Sequence, residues 1–459
     1  MHPISLPRFN ALAAWCRFGP TMWILDEVAW FESADGQLLG VIVRDRTDGD
    51  FLGIYLAQDR VRRFRQISQT DAFFDTAEAA AAALVAGAPA LLTRLEAERG
   101  QGDEGPAPVN FFRLEVARER LHPSFATLLD KEGFSPARAI VEAMMRWYED
   151  VDGNFIEQFQ TGAFDARLLE LYTYAMLVEN SFLLTREHEA PDFLARDILG
   201  TIAVEVTSVN PTQDSQGNLQ PPPEITTEDE RLAYLKHYIA IKFAAALKKK
   251  LRKAYWDLPH VAGKPLVFVI QDFHAPAAMT FARGGLINYL YAYEHNAHHD
   301  ADGRLVVVAT KLEEHRWRDR RAASGFFDLP GAEHVSAVIF NSGATLPKFN
   351  RIGYVAGFGS RRVRMIRHGT VWNPDPDAAE PIPFAVRVDD PDYAESWTEG
   401  LDVFHNPRAA IPLNPEHFPA AVHHYLQADG NISSVQAGDL VQPLASWTQI
   451  FISEDVEAP

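Results

Sequence analysis

The chain of 459 residues has a single cysteine, Cys16, and no apolar run that approaches the length of a membrane span. One cysteine excludes an internal disulfide framework and any cysteine-rich zinc site, and it is typical of a reducing compartment. A spanning helix needs roughly 20 consecutive apolar residues. The start Met-His-Pro-Ile-Ser also lacks the charged and apolar regions of a signal peptide. We therefore expect a cytoplasmic protein with no membrane contact.

Positive charge is scarce, since 43 Lys and Arg face 62 Asp and Glu, for a net charge of -19. This balance weighs against a protein that coats nucleic acid nonspecifically, because such binding depends on phosphate neutralisation. One local run without an acid contains Lys242, Lys248, Lys249, Lys250, Arg252 and Lys253. It predicts either a basic groove on an acidic body or solvated lysines that favour the carboxyl end of a helix dipole.

The length suits about two or three domains, and 47% hydrophobic residues suffice for large cores. Residues 1–98 predict an α+β module, with strands at 22–30, 38–45 and 51–58 and an alanine-rich helix at 73–98. Gly and Pro mark residues 99–108 as a linker. Residues 109–372 form the main predicted domain, and the Pro- and Asp-rich residues 373–459 suggest an irregular extension packed on it. The front of the chain also resembles a group of bacterial proteins, which implies no activity.

Two carboxylates stand out in the main domain. Asp192 follows Pro191 and opens a segment that turns near residues 197–200, and residues 201–209 then form a β-branched strand. Glu205 and Thr207 point to one face of that strand. Burying an unpaired Glu205 among Ile, Val and Ala is expensive, so a metal ion or a cation must compensate. The alternative is structural, because Pro-Asp commonly opens a turn and a strand Glu can pair with a Lys.

The surrounding elements predict an α/β domain. Helical spacing of apolar residues covers 164–185, and a capping box at 226–230 begins a second helix that runs to about residue 255. Residues 265–272 form a buried strand, followed by strands at 304–310 and 334–340. This order is typical of α/β proteins: a helix, a hairpin, a crossover helix and then a parallel strand.

At Pro191, Asp192 and Glu205 the chain resembles the PD-(D/E)XK nuclease superfamily, whose signature is Pro-Asp, a hairpin, and then an acid, any residue and Lys. The resemblance covers residues 165–345 and implies a restriction endonuclease-like core, a mixed sheet flanked by helices. It implies Asp192 and Glu205 as ligands of Mg²⁺ (or Mn²⁺), with Glu179 on the preceding helix as a third ligand. The chain departs from the pattern at Thr207, which stands where Lys is expected.

Superfamily members can carry that Lys on a neighbouring helix, and Lys242 is the residue expected to take its place. Thr207 would then hydrogen-bond a metal-bound water. The sequence thus predicts a Mg²⁺-dependent nuclease acting on DNA or RNA. The expected nucleic-acid contacts are Lys248, Lys249, Arg252 and Lys253. The alternative is a catalytically inactive, nuclease-like scaffold that binds nucleic acid or a protein partner. A homodimer is compatible with either hypothesis.

Overall fold

The computed structural model describes residues 1–17, 19–105, 108–148, 150, 153–214, 216, 218–438 and 442–454. The helices are α1 (Leu6–Ala13), α2 (Gly19–Ile24), α3 (Ala77–Glu98), α4 (Pro123–Asp130), α5 (Ser135–Met145), α6 (Phe155–Gln160), α7 (Phe164–Glu179), α8 (Glu228–Ala233), α9 (Ile239–Leu251), α10 (Arg283–Tyr291) and α11 (Leu346–Val355).

Strands appear in every part of the chain. The first ten are β1 (His2–Ile4), β2 (Leu25–Glu32), β3 (Leu38–Asp45), β4 (Phe51–Gln58), β5 (Phe64–Gln69), β6 (Leu183–Thr185), β7 (Phe193–Arg196), β8 (Thr201–Val209), β9 (Leu266–Asp272) and β10 (Tyr293–His299). The others are β11 (Leu305–Lys311), β12 (Glu314–Trp317), β13 (Arg320–Ala323), β14 (Val335–Asn341), β15 (Val363–Val371), β16 (Ile382–Arg387), β17 (Leu401–His405), β18 (Val422–Leu426), β19 (Ile432–Val435) and β20 (Pro443–Ile452).

The N-terminal module is an antiparallel sheet in the order β1-β2-β3-β4-β5, covered by α3. Thr76 caps the amino end of helix α3, and its hydroxyl accepts a hydrogen bond from the Ala79 N–H. Its buried residues recur every three or four positions: Ala80, Leu84, Ala88, Leu91 and Leu95. Gly40 lets the Leu84 side chain pack directly against the backbone of β3, since a Cβ at this position would lie 2.7 Å from Leu84 Cδ2.

Helix α3 is the one helix among the described residues that is long and apolar enough to cross a membrane. Length and composition are weak evidence for a span. The stripe of α3 that contains Leu84 and Leu91 packs instead on the five-stranded sheet. This packing identifies α3 as the covering helix of the N-terminal module.

An eight-stranded mixed sheet forms the centre of the molecule, in the order β19-β18-β17-β14-β9-β8-β7-β6. Strand β9 runs parallel to both β8 and β14, whereas β6, β7 and β8 form an antiparallel meander. Helix α7 packs on the face that contains Val204 and Val206, and α9 and α10 cover the face that contains Ala203 and Phe268. Every residue of β9 and β14 is buried, as is usual for strands covered on both faces. The chain is therefore a mixed α/β protein.

The segment after residue 373 is not irregular, in contrast to the sequence-based expectation. Strands β17, β18 and β19 complete the central sheet, and β20 pairs with β15 in a sheet of order β16-β15-β20. The sequence did not predict β17 as a buried strand, because it contains Asp402 and ends at His405. Arg283 donates to Asp402 over 2.7 Å and 3.0 Å. This ion pair lets a carboxylate enter the sheet.

Two helix boundaries and the sheet to which one strand belongs also differ from the sequence-based expectation. The helix expected over 164–185 ends at Glu179, because β6 begins at Leu183. The helix expected over 226–255 is interrupted by a π-turn at Tyr234–Tyr238 and ends at Leu251. Residues 305–311 pair with β10 in a separate hairpin and do not join the central sheet.

Buried histidines link β17 and β18. Nε2 of His405 lies 2.8 Å from Nδ1 of His423. Burial, followed by the neighbouring His423 and His424, lowers the pKa of His405 from 6.5 to about 4. The unfolded chain therefore binds a proton between these two pH values that the folded chain does not bind.

We expect this histidine to lower the free energy of unfolding by on the order of 3 kcal/mol as the pH falls from about 6.5 to about 4. Above that window His405 is neutral in both states, so it adds no pH dependence. Urea unfolding of the wild type and of His405→Gln from neutral to acidic pH measures the difference. His298→Gln, on the exposed strand β10, is the matched control. Equal pH slopes for the wild type and His405→Gln would contradict the expectation.

Candidate active site

The hairpin of β7 and β8 brings Asp192 and Glu205 together. Phe193, the first residue of β7, pairs with Val204, so Asp192 precedes the end of the pairing and Glu205 follows it. The Val206 N–H also donates to Asp192 Oδ2 over 2.7 Å. The two acids singled out in the sequence are therefore neighbours.

The Asp192 carboxyl lies in an environment that disfavours its charge. Burial, and then the nearby Glu205 and Glu170 carboxylates, raise the pKa of Asp192 from 3.8 to about 7. Desolvation and like charges both act in this direction. A cation placed between Asp192 and Glu205 would offset the repulsion.

Glu205 is held by two residues near the end of α9. The Lys250 ammonium forms an ion pair with Glu205 Oε1, and the Tyr255 hydroxyl donates to the same oxygen over 2.5 Å. Only 4% of Glu205 is exposed, so these partners satisfy a carboxylate that burial would otherwise destabilise. The cation beside the acids is thus Lys250.

Lys242, the residue expected in that role, lies elsewhere. Its Nζ donates to the Asn210 carbonyl over 2.7 Å and to Thr212 Oγ1 over 3.2 Å, beyond the end of β8. Eight residues of helix separate Lys242 from Lys250, which is about 12 Å along the axis. Thr207 shares the face of β8 with Glu205 and is half-buried.

Helix α7 also presents a different acid from the expected one. Glu170 accepts from Arg167 over 2.6 Å and from Arg186 over 2.9 Å, and the Tyr148 hydroxyl donates to it. Glu179 accepts instead from the N–H groups of residues 397 and 398 over 3.0 Å and 2.7 Å. Nine helical residues, about 13 Å, separate the two acids. Glu170 is therefore the α7 acid beside Asp192.

A scan against protein-family models, a search of curated proteins and a search of solved structures each found no match to this chain.

The basic residues at the end of α9 do not share one face. Lys249, Arg252 and Lys253 are exposed and Lys248 is half-buried. Lys248 and Lys250 differ by about 200° around the helix, so Lys248 points away from Glu205. Lys253 lies 5.9 Å from the Tyr255 ring centroid, on the side of the acids. Among the basic residues at the end of α9, Lys250 therefore contacts the site and Lys253 contacts its Tyr255.

A histidine stack, missed in the sequence, supports the loop before Asp192. Nε2 of His260 donates to the Ala190 carbonyl over 2.7 Å. The His260 ring stacks on His188 with 3.7 Å between centroids. These contacts tie the loop after α9 to the loop that delivers Asp192.

Among the described residues, no three or more His, Cys, Asp or Glu side chains are grouped to hold a metal ion. The pair of Asp192 and Glu205 still suits Mg²⁺, because this ion keeps several waters and is commonly bound by one or two carboxylates. A bound divalent cation would also lower the raised pKa of Asp192, because it would stabilise the charged carboxylate. The donor set therefore fits Mg²⁺, or Mn²⁺ with its similar preference for oxygen.

Proposed function

We propose that this chain is a Mg²⁺-dependent nuclease of the PD-(D/E)XK type, which hydrolyses phosphodiester bonds of DNA, with RNA as the second candidate substrate. The element order α7, β6, β7, β8, α8, α9, β9 supports the proposal. In that order the three meander strands are followed by a crossover helix and a strand parallel to β8. This is the arrangement expected of a restriction endonuclease-like core.

The observation that carries the proposal is the meeting of Asp192, Glu205 and Lys250. Two neighbouring carboxylates and a lysine touching one of them are the three groups of the superfamily signature. The lysine comes from α9, and Thr207 occupies its usual place on the strand. A metal-dependent hydrolase needs this combination of anionic ligands and a cation near the reacting phosphate.

Asp192 and Glu205 would hold the ion, which supplies a Lewis acid that neutralises charge on the phosphodiester when bound. Lys250 contributes a positive charge for the pentacoordinate phosphate, where charge develops in the transition state. Tyr255 fixes the orientation of Glu205 through its 2.5 Å hydrogen bond. Arg186 and Arg167 hold Glu170, which limits the number of negative charges that face the substrate.

The substrate meets a local positive surface on an acidic protein. Lys253 is exposed and lies over the Tyr255 ring, while the whole chain has a net charge of -19. Phosphate contacts of this kind depend strongly on salt. Tight nonspecific coating of nucleic acid is not part of the proposal.

We expect purified protein to nick plasmid DNA, or to cut single-stranded DNA or RNA, with Mg²⁺ or Mn²⁺ and not with a chelator. Asp192→Asn and Glu205→Gln should each reduce the rate by about 10²-fold or more, because each removes a charge that holds the ion. Circular dichroism of both variants checks folding. Nucleic-acid binding without cleavage by the wild type would favour the inactive scaffold. Cleavage that survives both substitutions would place the chemistry elsewhere.

A further inference from the structure

A cavity of about 390 Å³ lies beside the edge strand β6, where the N-terminal module meets α7. Its volume falls in the range of small-molecule sites, about 300–1,000 Å³. The lining combines aromatic rings with guanidinium groups. The aromatic residues are Trp15, Trp147, Tyr174 and Phe182, and the guanidinium groups belong to Arg17 and Arg186.

Two rings of the lining are stacked on each other, and Trp147 in the lining carries a polar group without a partner. The rings of Trp15 and Tyr174 stack with 5.4 Å between centroids and 15° between planes. The Nε1–H of Trp147 is buried and has no hydrogen-bond partner in the described part of the chain. Buried donors are almost always paired. The Trp147 N–H therefore needs an acceptor, which a ligand would supply.

The cavity is next to the candidate active site. Arg186 lines the cavity and donates to Glu170 Oε1 over 2.9 Å. Its guanidinium carbon also lies 5.3 Å from the centroid of the Phe193 ring, and Phe193 follows Asp192 directly. A ligand in the cavity would thus sit one side chain away from the carboxylates.

We propose that this cavity holds one nucleobase of the strand whose phosphate lies at Asp192 and Glu205. A base offers flat faces to the aromatic walls and ring-nitrogen or carbonyl acceptors to the Trp147 N–H. The inference rests on the proposed nuclease function for the position of the phosphate. It specifies the substrate as a single-stranded or locally unpaired segment, where moving a base out of its stack costs least. The N-terminal module, through Trp15, then takes part in substrate recognition.

The test measures base binding without cleavage, in the presence of EDTA. The two probes are a short single-stranded DNA with a central 2-aminopurine and the same strand with an abasic site in its place. We expect the wild type to prefer the 2-aminopurine strand by about tenfold or more, from the usual gain of stacking a base on aromatic side chains. The 2-aminopurine fluorescence should fall on binding.

Two variants address the cavity and one serves as a matched control. Trp147→Phe keeps an aromatic ring and removes the N–H, so the preference should fall about fivefold, as for one lost hydrogen bond. Val178→Trp places a large side chain at a residue that lines the cavity and should abolish the preference. Trp447→Phe, at an exposed tryptophan of β20, should leave it unchanged. Thermal melts verify that each variant folds.

Equal affinity of the wild type for the two strands, or no binding of either, would overturn the inference. An unchanged preference in folded Val178→Trp would do the same. The nuclease proposal fails separately: a base preference in a wild type that never cleaves would support the base site and reject the nuclease. Cleavage without any base preference would reject the base site and keep the nuclease.

Discussion

Lys250→Met is expected to slow Mg²⁺-dependent strand cleavage by about 10²–10³-fold, the usual loss when one charge-stabilising group is removed from an active site. Lys250 is the lysine that touches Glu205, and in the proposed function its charge would stabilise the phosphate beside the metal ion that the two acids hold. Lys242→Met should change the rate little, because Lys242 bonds to Asn210 and Thr212 past the end of β8. Single-turnover cleavage of a labelled oligonucleotide measures both rates.

The two lysines make a matched pair, since both lie on α9 and both substitutions remove one positive charge. Lys250→Arg keeps the charge and should retain part of the activity. A melt of each variant separates lost chemistry from lost folding. Loss of activity in Lys242→Met with full activity in Lys250→Met would restore the assignment that the sequence suggested and reject the one made from the structure.

Glu395→Gln is expected to lower the free energy of unfolding by about 3–5 kcal/mol, because it breaks a buried ion cluster from one side. The Glu395 side chain is fully buried and accepts two bonds from Arg351, of 2.8 Å and 2.7 Å. Lys348 and Arg367 lie 3.7 Å and 3.6 Å from it. Burial opposes the charge of Glu395, yet these cations lower its pKa. Gln would leave three buried cations with Glu399 as the remaining acid of the cluster.

Urea unfolding with a constant m-value measures this change. The control is Asp389→Asn, which breaks a pair with the largely exposed Arg387 and should cost about 0–1 kcal/mol. A loss below about 1 kcal/mol for Glu395→Gln would mean that the cluster rearranges or admits water.

The sequence was most informative where a single periodicity governs an element. Strands β3 and β4 were predicted at the bounds that the structure has, 38–45 and 51–58, because each is a run of apolar residues bounded by turn residues. The central strand β9 was recognisable as a continuous apolar run. Strands β17 and β18 were not, because their buried positions include Asp402 and His424. Their burial depends on Arg283, which is far away in the sequence.

The site was predictable in its acids and not in its partners. The Pro-Asp and the strand glutamate lie close together in the sequence, on either side of one turn. A local pattern was therefore enough to predict that Asp192 and Glu205 are neighbours. To predict Glu170 and Lys250, the rise per residue of the strands would have to be compared with that of the helices packed on them. Four residue steps from Phe182 to Arg186, which include strand β6, cover about 13 Å, the length of about nine helical residues. That distance leads back along α7 from Glu179 to Glu170.

Strand β17 lies between β14 and β18 in the central sheet, and this order matters while the chain is being made. The fully buried β14 leaves the ribosome ~60 residues before the strand that covers its edge, which takes several seconds at about 5–20 residues per second. For that time the nascent chain carries an open, apolar β edge, which is a template for pairing with other chains. The yield of folded protein therefore depends on how quickly synthesis reaches β17 and on whether a chaperone shields β14 until then.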